Sequence, residues 1–397
     1  MEKVYIYTCE DYDEKVNQIV DKIFYGIGGA DSVIKQGQTV VLKVNLVCGA
    51  TPDKCCTTHP SIVKAVAQKV VEAGATCIIA DSPGGLYTAG FLRGVYDKTG
   101  MAQVASEIDG VELNNDFTDT TVKREENTVL KEFNMINVLQ QADVVINLCK
   151  FKTHTFMGYS GAVKNLFGAI PGLVKVEMHG RFVSQNAFSQ MLIDINKTLQ
   201  DKMVLSIIDA VMCMEGDGPT GGEPKHFGYI MASTSPYALD VVQVRAMGKS
   251  VDGYDKDENE VFPLIQEINR QNLIDGEIVI CGDVSDVPVL SDMDIPRCEV
   301  YGALKHVPRK LQPLLNKLMT RRPSIKKSKC RGCAKCCNHC PAKAITMIDN
   351  KKKGKYAKID YTKCIRCFCC QELCPFNVVK IKTGLFYRFV HSKKQKK

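Results

Sequence analysis

The chain contains 397 residues, of which 45% are apolar and 24% are charged, and its formal net charge at pH 7 is +8. The length allows two or three domains, and the composition is ordinary for a soluble protein. The sequence has no run of about 18 apolar residues, and its start lacks a basic patch followed by an apolar stretch. These features argue against a membrane-spanning helix and a secretory signal, so we predict a cytoplasmic protein without a transmembrane segment.

Strands alternate with helices over the first 300 residues. Short apolar runs, which suit strands buried on both faces, predict strands at residues 4–8, 39–44, 77–80, 144–148, 204–208 and 278–280. A helix with one apolar face is predicted between the second and third strands, over residues 60–73. Strand, helix and strand form a parallel crossover unit. We therefore predict an α/β domain over residues 1–300, with an open, mainly parallel sheet and helices on both faces.

Polar and glycine-rich segments follow several of these strands. Ligands of open α/β sheets bind outside the carboxyl ends of the strands, so side chains that come after each strand are candidates for one shared crevice. The predicted catalytic residues are Asp81, Lys152, His154 and Lys164. The predicted substrate-binding residues are Lys43, Asn45, His59, Asn165, Glu215 and Asp217.

The cationic candidates allow two interpretations. Lys164 and Asn165 lie between two glycines and can belong to the surface of a helix. Together with Lys43, Lys152 and His59 they can equally form a cationic cup for a carboxylate or phosphate group. The second interpretation predicts a small anionic substrate.

The acidic and histidine candidates also have simpler explanations. Asp81 and Asp209 at strand ends can cap the turns that follow them. His154 can be a surface histidine with its hydrogen bonds satisfied, although its place after a buried strand favours function. Glu215 and Asp217 fall in a glycine-rich segment that can serve as a turn or as a metal site. The sequence contains no glycine-rich nucleotide-binding motif, so we do not predict a bound nucleotide.

Seven short phrases in this region resemble one known family. They are VVLKVNL, TTHP, DSPGG, KFKTH, GAVKNLFG, MEGDGP and SPYALDVV, and they occur in this order. Between about residues 35 and 250 the chain is similar to the family catalogued as domain of unknown function 362. Members often carry a two-cluster ferredoxin module. The resemblance implies an iron–sulfur protein, but it does not supply a reaction.

The chain has 19 cysteines, and in a cytoplasmic protein such a number points to bound metal rather than disulfides. Eight of them form two runs with the spacing C-x2-C-x2-C-x3-C-P. The first run is Cys330, Cys333, Cys336 and Cys340, and the second is Cys364, Cys367, Cys370 and Cys374. This is the bacterial spacing for [4Fe–4S] clusters, whereas zinc usually takes two separated pairs.

The two runs are expected to exchange their last cysteine. A tight loop wraps three corners of a cluster, and in two-cluster ferredoxins the fourth thiolate comes from the other run. One [4Fe–4S] cluster is therefore assigned to Cys330, Cys333, Cys336 and Cys374, and the second to Cys364, Cys367, Cys370 and Cys340. Four further cysteines receive no redox role: Cys337 and Cys369 as bystanders, and the vicinal Cys55 and Cys56 as inert thiols.

The region around these runs resembles bacterial two-[4Fe–4S] ferredoxins over roughly 60 residues. Strands are predicted at residues 344–348 and 356–360, and the two halves repeat each other, each half carrying one run. We predict a small α+β ferredoxin-like domain at residues 326–384. A basic linker at 301–325 precedes it, and a basic tail at 385–397 follows it.

Charge divides the chain near residue 300. Residues 301–397 contain 26 Lys and Arg and 3 Asp and Glu, a net charge of +23, while the first 300 residues have a net charge of −15. A basic module can dock on the acidic front part of its own chain, or it can attract an acidic redox protein such as a ferredoxin or flavodoxin. Contact with nucleic acid or anionic lipid is a third interpretation. We expect the first two and no nucleic-acid partner.

Two functions are compatible with these features. The first is a reductase that passes electrons through two [4Fe–4S] clusters to a small anionic substrate in the crevice, and covalent fusion of the two parts favours it. The second is an electron-carrier or protein-binding module without small-molecule chemistry of its own. A scaffold or maturation protein with structural clusters is a third interpretation.

Overall fold

The computed structural model describes residues 1–251, 262–296, 321–350 and 354–382. The predicted basic tail and residues 301–320 of the predicted linker lie outside the described residues. Within the described ranges, no helix is both long and apolar enough to cross a membrane.

The bounds of the regular elements are as follows. The strands are Glu2–Thr8 (β1), Thr39–Lys43 (β2), Thr76–Ala80 (β3), Val111–Leu113 (β4), Asp119–Lys123 (β5), Glu132–Ile136 (β6), Val144–His154 (β7), Gly158–Ser160 (β8), Met203–Glu215 (β9), Glu223–Ser233 (β10), Ile278–Gly282 (β11), Arg322–Ile325 (β12), Ile345–Asn350 (β13), Gly354–Ile359 (β14) and Val379–Lys382 (β15). The α-helices are Lys15–Gly26 (α1), Ala30–Val33 (α2), Pro60–Glu72 (α3), Ala89–Thr99 (α4), Met101–Glu107 (α5), Asn137–Gln141 (α6), Ala162–Asn165 (α7), Val174–Arg181 (α8), Gln185–Leu199 (α9), Pro236–Ala246 (α10), Pro263–Arg270 (α11), Lys335–Asn338 (α12) and Cys369–Glu372 (α13).

One nine-stranded sheet organises the front part of the chain. Its order is β11-β1-β10-β9-β7-β2-β3-β4, and β8 pairs with the end of β7. The pairings β1–β11, β2–β3, β2–β7, β3–β4 and β7–β9 are parallel. The pairings β1–β10, β9–β10 and β7–β8 are antiparallel. The predicted open, mainly parallel sheet is confirmed.

Side chains alternate between the two faces of this sheet. On β2, Val40 and Leu42 belong to one buried apolar cluster and Val41 belongs to the other, as the two-residue period of a strand requires. Helices α1, α3, α4 and α5 pack on the first face, and α6 to α11 pack on the second. Helices therefore cover both faces, as predicted.

Two central strands are longer than the apolar runs that predicted them. The structure has β7 at Val144–His154 and β9 at Met203–Glu215, because β8 and β10 pair with their later residues and satisfy the backbone there. Lys152 and Asp209 therefore lie within strands. The interpretation of Asp209 as a cap of a following turn was wrong.

The ferredoxin module contains two antiparallel strand pairs, β12–β15 and β13–β14, and the two single-turn helices α12 and α13. Residues Arg322–Ile325 pair with Val379–Lys382, so the module begins before the predicted boundary at residue 326. The last residues of the predicted linker are thus a strand of the module itself.

The two halves of the module share one backbone pattern. Cys330 precedes α12 by the same number of residues as Cys364 precedes α13. Each helix follows a residue in the left-handed region, Ala334 with φ 59° and Phe368 with φ 62°. The internal repeat that the sequence indicates is therefore visible in the backbone.

Asp240 on α10 fixes the start of α7, which carries two of the candidate residues. Its carboxylate is fully buried and accepts hydrogen bonds from the Ala162 N–H at 2.5 Å and the Tyr159 hydroxyl at 3.0 Å. We expect Asp240→Ala to lower the free energy of unfolding by about 3 kcal/mol, because two buried donors lose their acceptor.

Urea denaturation followed by circular dichroism measures this change. The control is Asp201→Ala at an exposed carboxylate, which should alter the free energy of unfolding by less than about 0.5 kcal/mol. Equal losses in the two variants would contradict the anchoring role of Asp240.

Candidate functional site

A cavity lies at the carboxyl ends of β2, β3 and β7, where the front part of the chain meets the ferredoxin module. Its volume is about 80 Å³, which is enough for several water molecules or a small molecule. We call this cavity the crevice. The polar residues that line it from the front part are Asn45, Asp81, Ser82, Lys152, Ser160, Lys164, Asn165, Lys175 and His179. The residues that line it from the module are Cys369, Glu372 and Leu373.

Asn165 joins the strand ends beneath the crevice. Its side-chain amide donates to the Asn147 side chain at 2.8 Å and to the Leu148 carbonyl at 3.3 Å, and its oxygen accepts from Asn45 at 2.7 Å. The Asn45 oxygen in turn accepts from the Lys152 ammonium at 2.8 Å. This buried chain of amides positions Lys152 at the wall of the crevice without neutralising its charge.

The two glycines of the GAVKNLFG phrase allow close approach of the backbone to charged groups. A Cβ atom at Gly161 would collide with the Asp240 carboxylate, and one at Gly168 would collide with Lys43 and Asp81. The backbone between these glycines therefore packs closely against the strand ends. Its lysine and its asparagine line the crevice as a result.

Lys43 and Asp81 form a buried ion pair with 2.7 Å between Nζ and Oδ1. The Lys43 ammonium also donates to the Val44 carbonyl at 2.8 Å, and the Asp81 carboxylate accepts from the Leu46 N–H at 2.7 Å. Asp81 lines the crevice, whereas Lys43 lies behind it. The charge of Lys43 is neutralised by this pair, and its predicted substrate-binding role stays a prediction.

Three lysines at the crevice, Lys152, Lys164 and Lys175, have no carboxylate within ion-pair distance in the part of the chain that the structure describes. Burial lowers the pKa of Lys152 to about 8 and that of Lys175 to about 7, and it also lowers the pKa of Lys164. Lys175 donates to the Ser82 hydroxyl at 3.0 Å. An anion bound in the crevice would favour the charged forms of all three lysines.

The module contributes one carboxyl group to this cationic space. Glu372 is the single glutamate of residues 301–397, and it lies on α13 between Cys370 and Cys374. Its Oε1 atom is buried, has no hydrogen-bond partner among the described residues, and lies 3.6 Å from the His154 Nε2 atom. Burial raises the pKa of Glu372, and the lysine charges oppose this shift.

His154 is buried behind the crevice, with 1% of its surface exposed. Its Nδ1 atom accepts hydrogen bonds from the Phe156 N–H at 3.1 Å and the Met157 N–H at 3.2 Å. In the neutral ring the proton is therefore on Nε2, the atom that faces Glu372. Burial, reinforced by neighbouring lysine charges, holds the pKa of His154 well below its ordinary value. The interpretation of His154 as a surface histidine was wrong.

Three predicted substrate-binding residues lie away from the crevice. His59 caps α3 and stacks on the Tyr12 ring at 3.5 Å. Glu215 pairs with Lys225 at 3.1 Å, and Asp217 pairs with an arginine at the start of the module. Strand β9 continues to Glu215, and the segment after it contacts the module. The substrate-binding roles of these three residues stay predictions, and the structure does not bring them to the crevice.

The structure brings five of the predicted site residues together at the crevice: Asn45, Asp81, Lys152, Lys164 and Asn165. Their catalytic and substrate-binding roles stay predictions. Sequence reasoning did not find every residue of the crevice wall. It missed Lys175 and His179, since both lie on α8, a helix without a recognisable motif. It also missed Glu372, although a signal was present in the sequence. That signal is the presence of one glutamate in a region with 26 Lys and Arg.

The cysteines of the module surround two further cavities. One is lined by Cys330, Cys333, Cys336 and Cys374, and the other by Cys340, Cys364, Cys367 and Cys370. Each set takes three cysteines from one run and one from the other. Within the described ranges, no three Cys, His, Asp or Glu side chains are close enough to share a single metal ion.

Backbone donors fit these cysteines as cluster ligands. The Ala344 N–H donates to the Cys340 sulfur at 3.2 Å, and the Val378 N–H donates to the Cys374 sulfur at 3.5 Å. Such hydrogen bonds stabilise charged sulfur and tune cluster potentials. Cys337 instead donates to the Ile345 carbonyl at 3.0 Å and lies outside both cysteine cavities. The thiols and their donors therefore fit iron–sulfur clusters.

The lowered pKa values of Lys152 and Lys175 predict anion binding that depends on pH. These ammonium groups lose their protons as the pH rises through about 7 to about 8, so an anion that needs them charged binds less tightly at higher pH. We expect the dissociation constant of sulfate to rise about tenfold or more between about pH 6 and about pH 9. Isothermal titration calorimetry measures it.

Two variants test the assignment of this binding to the crevice. Lys175→Met should weaken sulfate binding and flatten its pH profile. Lys123→Met, at an exposed lysine of β5, should leave both unchanged. A flat profile in the unmodified protein would contradict an anion site at these lysines.

Comparisons with known proteins agree with this geometry. The family model described as domain of unknown function (DUF362) matches residues 40–245, and a model of a 4Fe-4S dicluster domain matches residues 329–378. A thylakoid-associated protein from Synechocystis sp. is 36% identical over 219 residues, which cover 54% of this chain and 65% of that protein. NADH-quinone oxidoreductase subunit I 2 from Geobacter metallireducens is 41% identical over 68 residues, 16% of this chain and 51% of that protein.

Among solved structures, the lactate racemase apoprotein from Thermoanaerobacterium thermosaccharolyticum aligns with a TM-score of 0.34 and 13% identity, covering 56% of this chain and 54% of that chain. The chain thus spans less than two thirds of each of these three proteins.

Both resemblances that the sequence showed are confirmed by the family models. The dicluster match makes the chain an iron–sulfur protein with a ferredoxin-like, electron-carrying domain. The other match covers more than half of the residues. The chain belongs to the DUF362 family.

Proposed function

We propose that this chain is an iron–sulfur oxidoreductase that reduces a small anionic substrate bound in the crevice. The observation that carries the proposal is the composition of the crevice wall. Lysines of the front part and Glu372 of the module, which lies between two cluster cysteines, line the same cavity. Substrate and electron source would therefore meet at helix α13.

Each cysteine set would hold one [4Fe–4S] cluster. The first set is Cys330, Cys333, Cys336 and Cys374, and the second is Cys364, Cys367, Cys370 and Cys340. Bound clusters of this kind supply one-electron transfer. The proposal is supported by the cavity that each set lines and by the backbone N–H groups directed at Cys340 and Cys374.

The two sets differ in their surroundings. Cys369, within the second run, is buried and lines the crevice, and Pro341, next to Cys340, lies against Gly180 of α8. Cys333 of the first set is exposed. In the proposal the first set faces an external redox partner and the second set faces the crevice.

The crevice residues would bind and orient the substrate. Lys152, Lys164 and Lys175 would hold its anionic group, and the Ser82 hydroxyl would add a hydrogen bond. Asp81, predicted to be catalytic, would lie at the crevice wall beside the bound substrate. His154, whose Nε2 proton faces the module, would hold Glu372 in place.

Reoxidation of the reduced protein tests the reductase proposal. The protein is reduced anaerobically with dithionite, the excess is removed, and the visible absorbance of the clusters is followed after addition of single small carboxylates and phosphate esters. We expect one class of anion to reoxidise the protein rapidly. Lys164→Met should slow this reaction about 100-fold, because a crevice charge that orients the anion is lost.

The control for this experiment is Lys123→Met, which should react at the rate of the unmodified protein. Cys364→Ser should abolish reoxidation while sulfate binding to the crevice persists. Rapid electron exchange with ferredoxin or flavodoxin, but none with any anion, would contradict the reductase and favour the electron-carrier function.

We also propose that an acidic redox protein docks over the first cysteine set. Exposed basic residues surround this set in the sequence and at its cavity: Lys326, Lys327, Lys329, Arg331 and Lys335. Opposite charge accelerates the encounter of two proteins, and the acceleration falls with ionic strength. A ferredoxin or a flavodoxin with an acidic face has the required chemistry.

Charge reversal near the first set tests this docking. Lys329→Glu combined with Lys335→Glu should slow reduction by an acidic ferredoxin at least about tenfold at low salt. The rate should also become less sensitive to salt. Stopped-flow absorbance measures both.

The matched control reverses two exposed lysines of the front part, Lys123→Glu and Lys131→Glu. It changes the net charge by the same amount within the front part of the chain. If it slows the reaction as much as the module variant does, net charge rather than a docking surface is responsible.

We further propose a cytoplasmic location for the chain. No cysteine that the structure describes is in a disulfide, and dense cysteine without disulfides is typical of metal-binding proteins in the reducing cytoplasm.

A further inference from the structure

Ser82 and Lys175 lie in contact at the wall of the crevice. The Ser82 Oγ atom is 3.0 Å from the Lys175 Nζ atom, and it also accepts a hydrogen bond from the Gly172 N–H at 2.7 Å. The Lys175 Nζ atom donates a second hydrogen bond to the Ile170 carbonyl at 2.5 Å. Both side chains line the crevice, although only 1% of the surface of Ser82 is exposed. A molecule bound in the crevice would therefore meet a hydroxyl group and an amino group that already touch each other.

The backbone around this pair allows the close contact. Ser82 comes two residues after the end of β3, and Lys175 lies in the first turn of α8. Gly172 has a left-handed φ of 33°, and a Cβ atom there would lie 2.7 Å from the Gly85 carbonyl oxygen. Glycine is the residue that fits this position. Its N–H group can therefore approach the Ser82 oxygen, which is held between the end of β3 and the start of α8.

The hydrogen bonds of the pair match those of a serine nucleophile with a lysine base. A neutral lysine has one lone pair, which can accept the Ser82 proton while an N–H group of the same amine donates to the Ile170 carbonyl. The Gly172 N–H remains bonded to the serine oxygen and favours negative charge on it as the proton leaves. A serine hydroxyl is a weak nucleophile at its ordinary pKa, and an adjacent base activates it.

The surroundings of Lys175 suit a base. Burial lowers its pKa to about 7; the carboxylates of Asp81 and Glu372 oppose this shift, and the ammonium groups of Lys43 and Lys164 reinforce it. A large fraction of Lys175 is therefore neutral near neutral pH, where a general base with such a pKa is most effective. The charged form of the same lysine would hold the anionic substrate of the reductase.

We propose that Ser82 is an acyl-accepting nucleophile with Lys175 as its general base, and that the pair hydrolyses small acyl phosphates. The crevice volume of about 80 Å³ suits a small acyl group. The ammonium groups of Lys152 and Lys164 line the same cavity and favour a phosphate leaving group. This activity uses the crevice but requires no electrons, so it goes beyond the reductase function.

The reaction has two steps, with water as the co-reactant. In the first step the Ser82 Oγ atom forms a bond to the acyl carbon while its proton passes to the Lys175 Nζ atom, and the bond between the acyl carbon and the phosphate oxygen breaks. The phosphate takes the proton from Lys175. In the second step water attacks the acyl carbon, a water proton passes through Lys175 to the Ser82 oxygen, and the carboxylic acid leaves. No atom is oxidised or reduced.

Acetyl phosphate is the probe that tests this activity. The full-length protein with oxidised clusters is incubated anaerobically with acetyl phosphate, and phosphate release is followed. Samples quenched in acid are digested and their peptides are mapped by mass spectrometry. We expect an acetyl group on Ser82 and phosphate release faster than hydrolysis in buffer. The rate should increase severalfold between about pH 6 and about pH 8, because Lys175 loses its proton in this range.

Four variants separate the chemistry from the fold. Ser82→Ala should abolish the acetyl peptide and the accelerated release. Ser82→Cys keeps a nucleophile and an acceptor for the Gly172 N–H, and it should carry the acetyl group on sulfur. Lys175→Met should slow the release about 100-fold through loss of the base. Ser106→Ala, at an exposed serine of α5, should react at the rate of the unmodified protein.

The inference is overturned if acetyl groups appear on lysines alone, if Ser82 receives a phosphoryl group instead, or if Ser82→Ala releases phosphate at the unmodified rate. A rate that does not change with pH would overturn the role of Lys175. Reoxidation of the reduced protein is measured without acyl phosphate, so the hydrolysis and the reductase function can fail independently.

Discussion

The side-chain amide of Asn165 is the contact on which the architecture of the crevice depends. Strand β2 ends at this point, beside the middle of β7, and buried carbonyl groups of both strands need side-chain donors here. Asn165 satisfies carbonyls of both strands and, through Asn45, fixes the ammonium of Lys152. A fully satisfied polar network in a low-dielectric interior is rigid, because any displacement leaves a buried group unpaired. The positions of the crevice charges are therefore set by the strand ends.

The crevice is electrostatically unbalanced in the absence of a ligand. Three lysines face it. Of the two carboxyl groups among the described residues that line it, Asp81 is already paired with Lys43, and Glu372 comes from a module that is otherwise strongly basic. Contacts at the rim hold the module in place, including the hydrogen bond from Gln371 to the Asp217 carbonyl at 3.0 Å. Burial of uncompensated ammonium groups costs stability. The fold tolerates this cost at one location, as is common where a protein binds an oppositely charged group.

Local sequence patterns predicted the parts of the fold that local physics determines. The run at residues 39–44 became β2, and the helix predicted at 60–73 became α3, since apolar period and strand ends are properties of the chain itself. Lys152 and Asn45 were found because the carboxyl ends of parallel strands converge. Lys175 and Glu372 could not be found in this way. Their positions depend on how α8 packs and on how the module docks, and neither is encoded in the spacing of nearby residues.

The repeat within the module has a consequence for its symmetry. Lys335 and Asn338 on α12 occupy the positions that Cys369 and Glu372 occupy on α13, one repeat later in the chain. The first pair is exposed to solvent, whereas the second pair lines the crevice. Two copies of one structural motif therefore have opposite environments, one exposed to water and one facing the crevice. The backbone of the module is nearly twofold symmetric, but these few side chains make one half suitable for contact with solvent and the other for contact with the crevice.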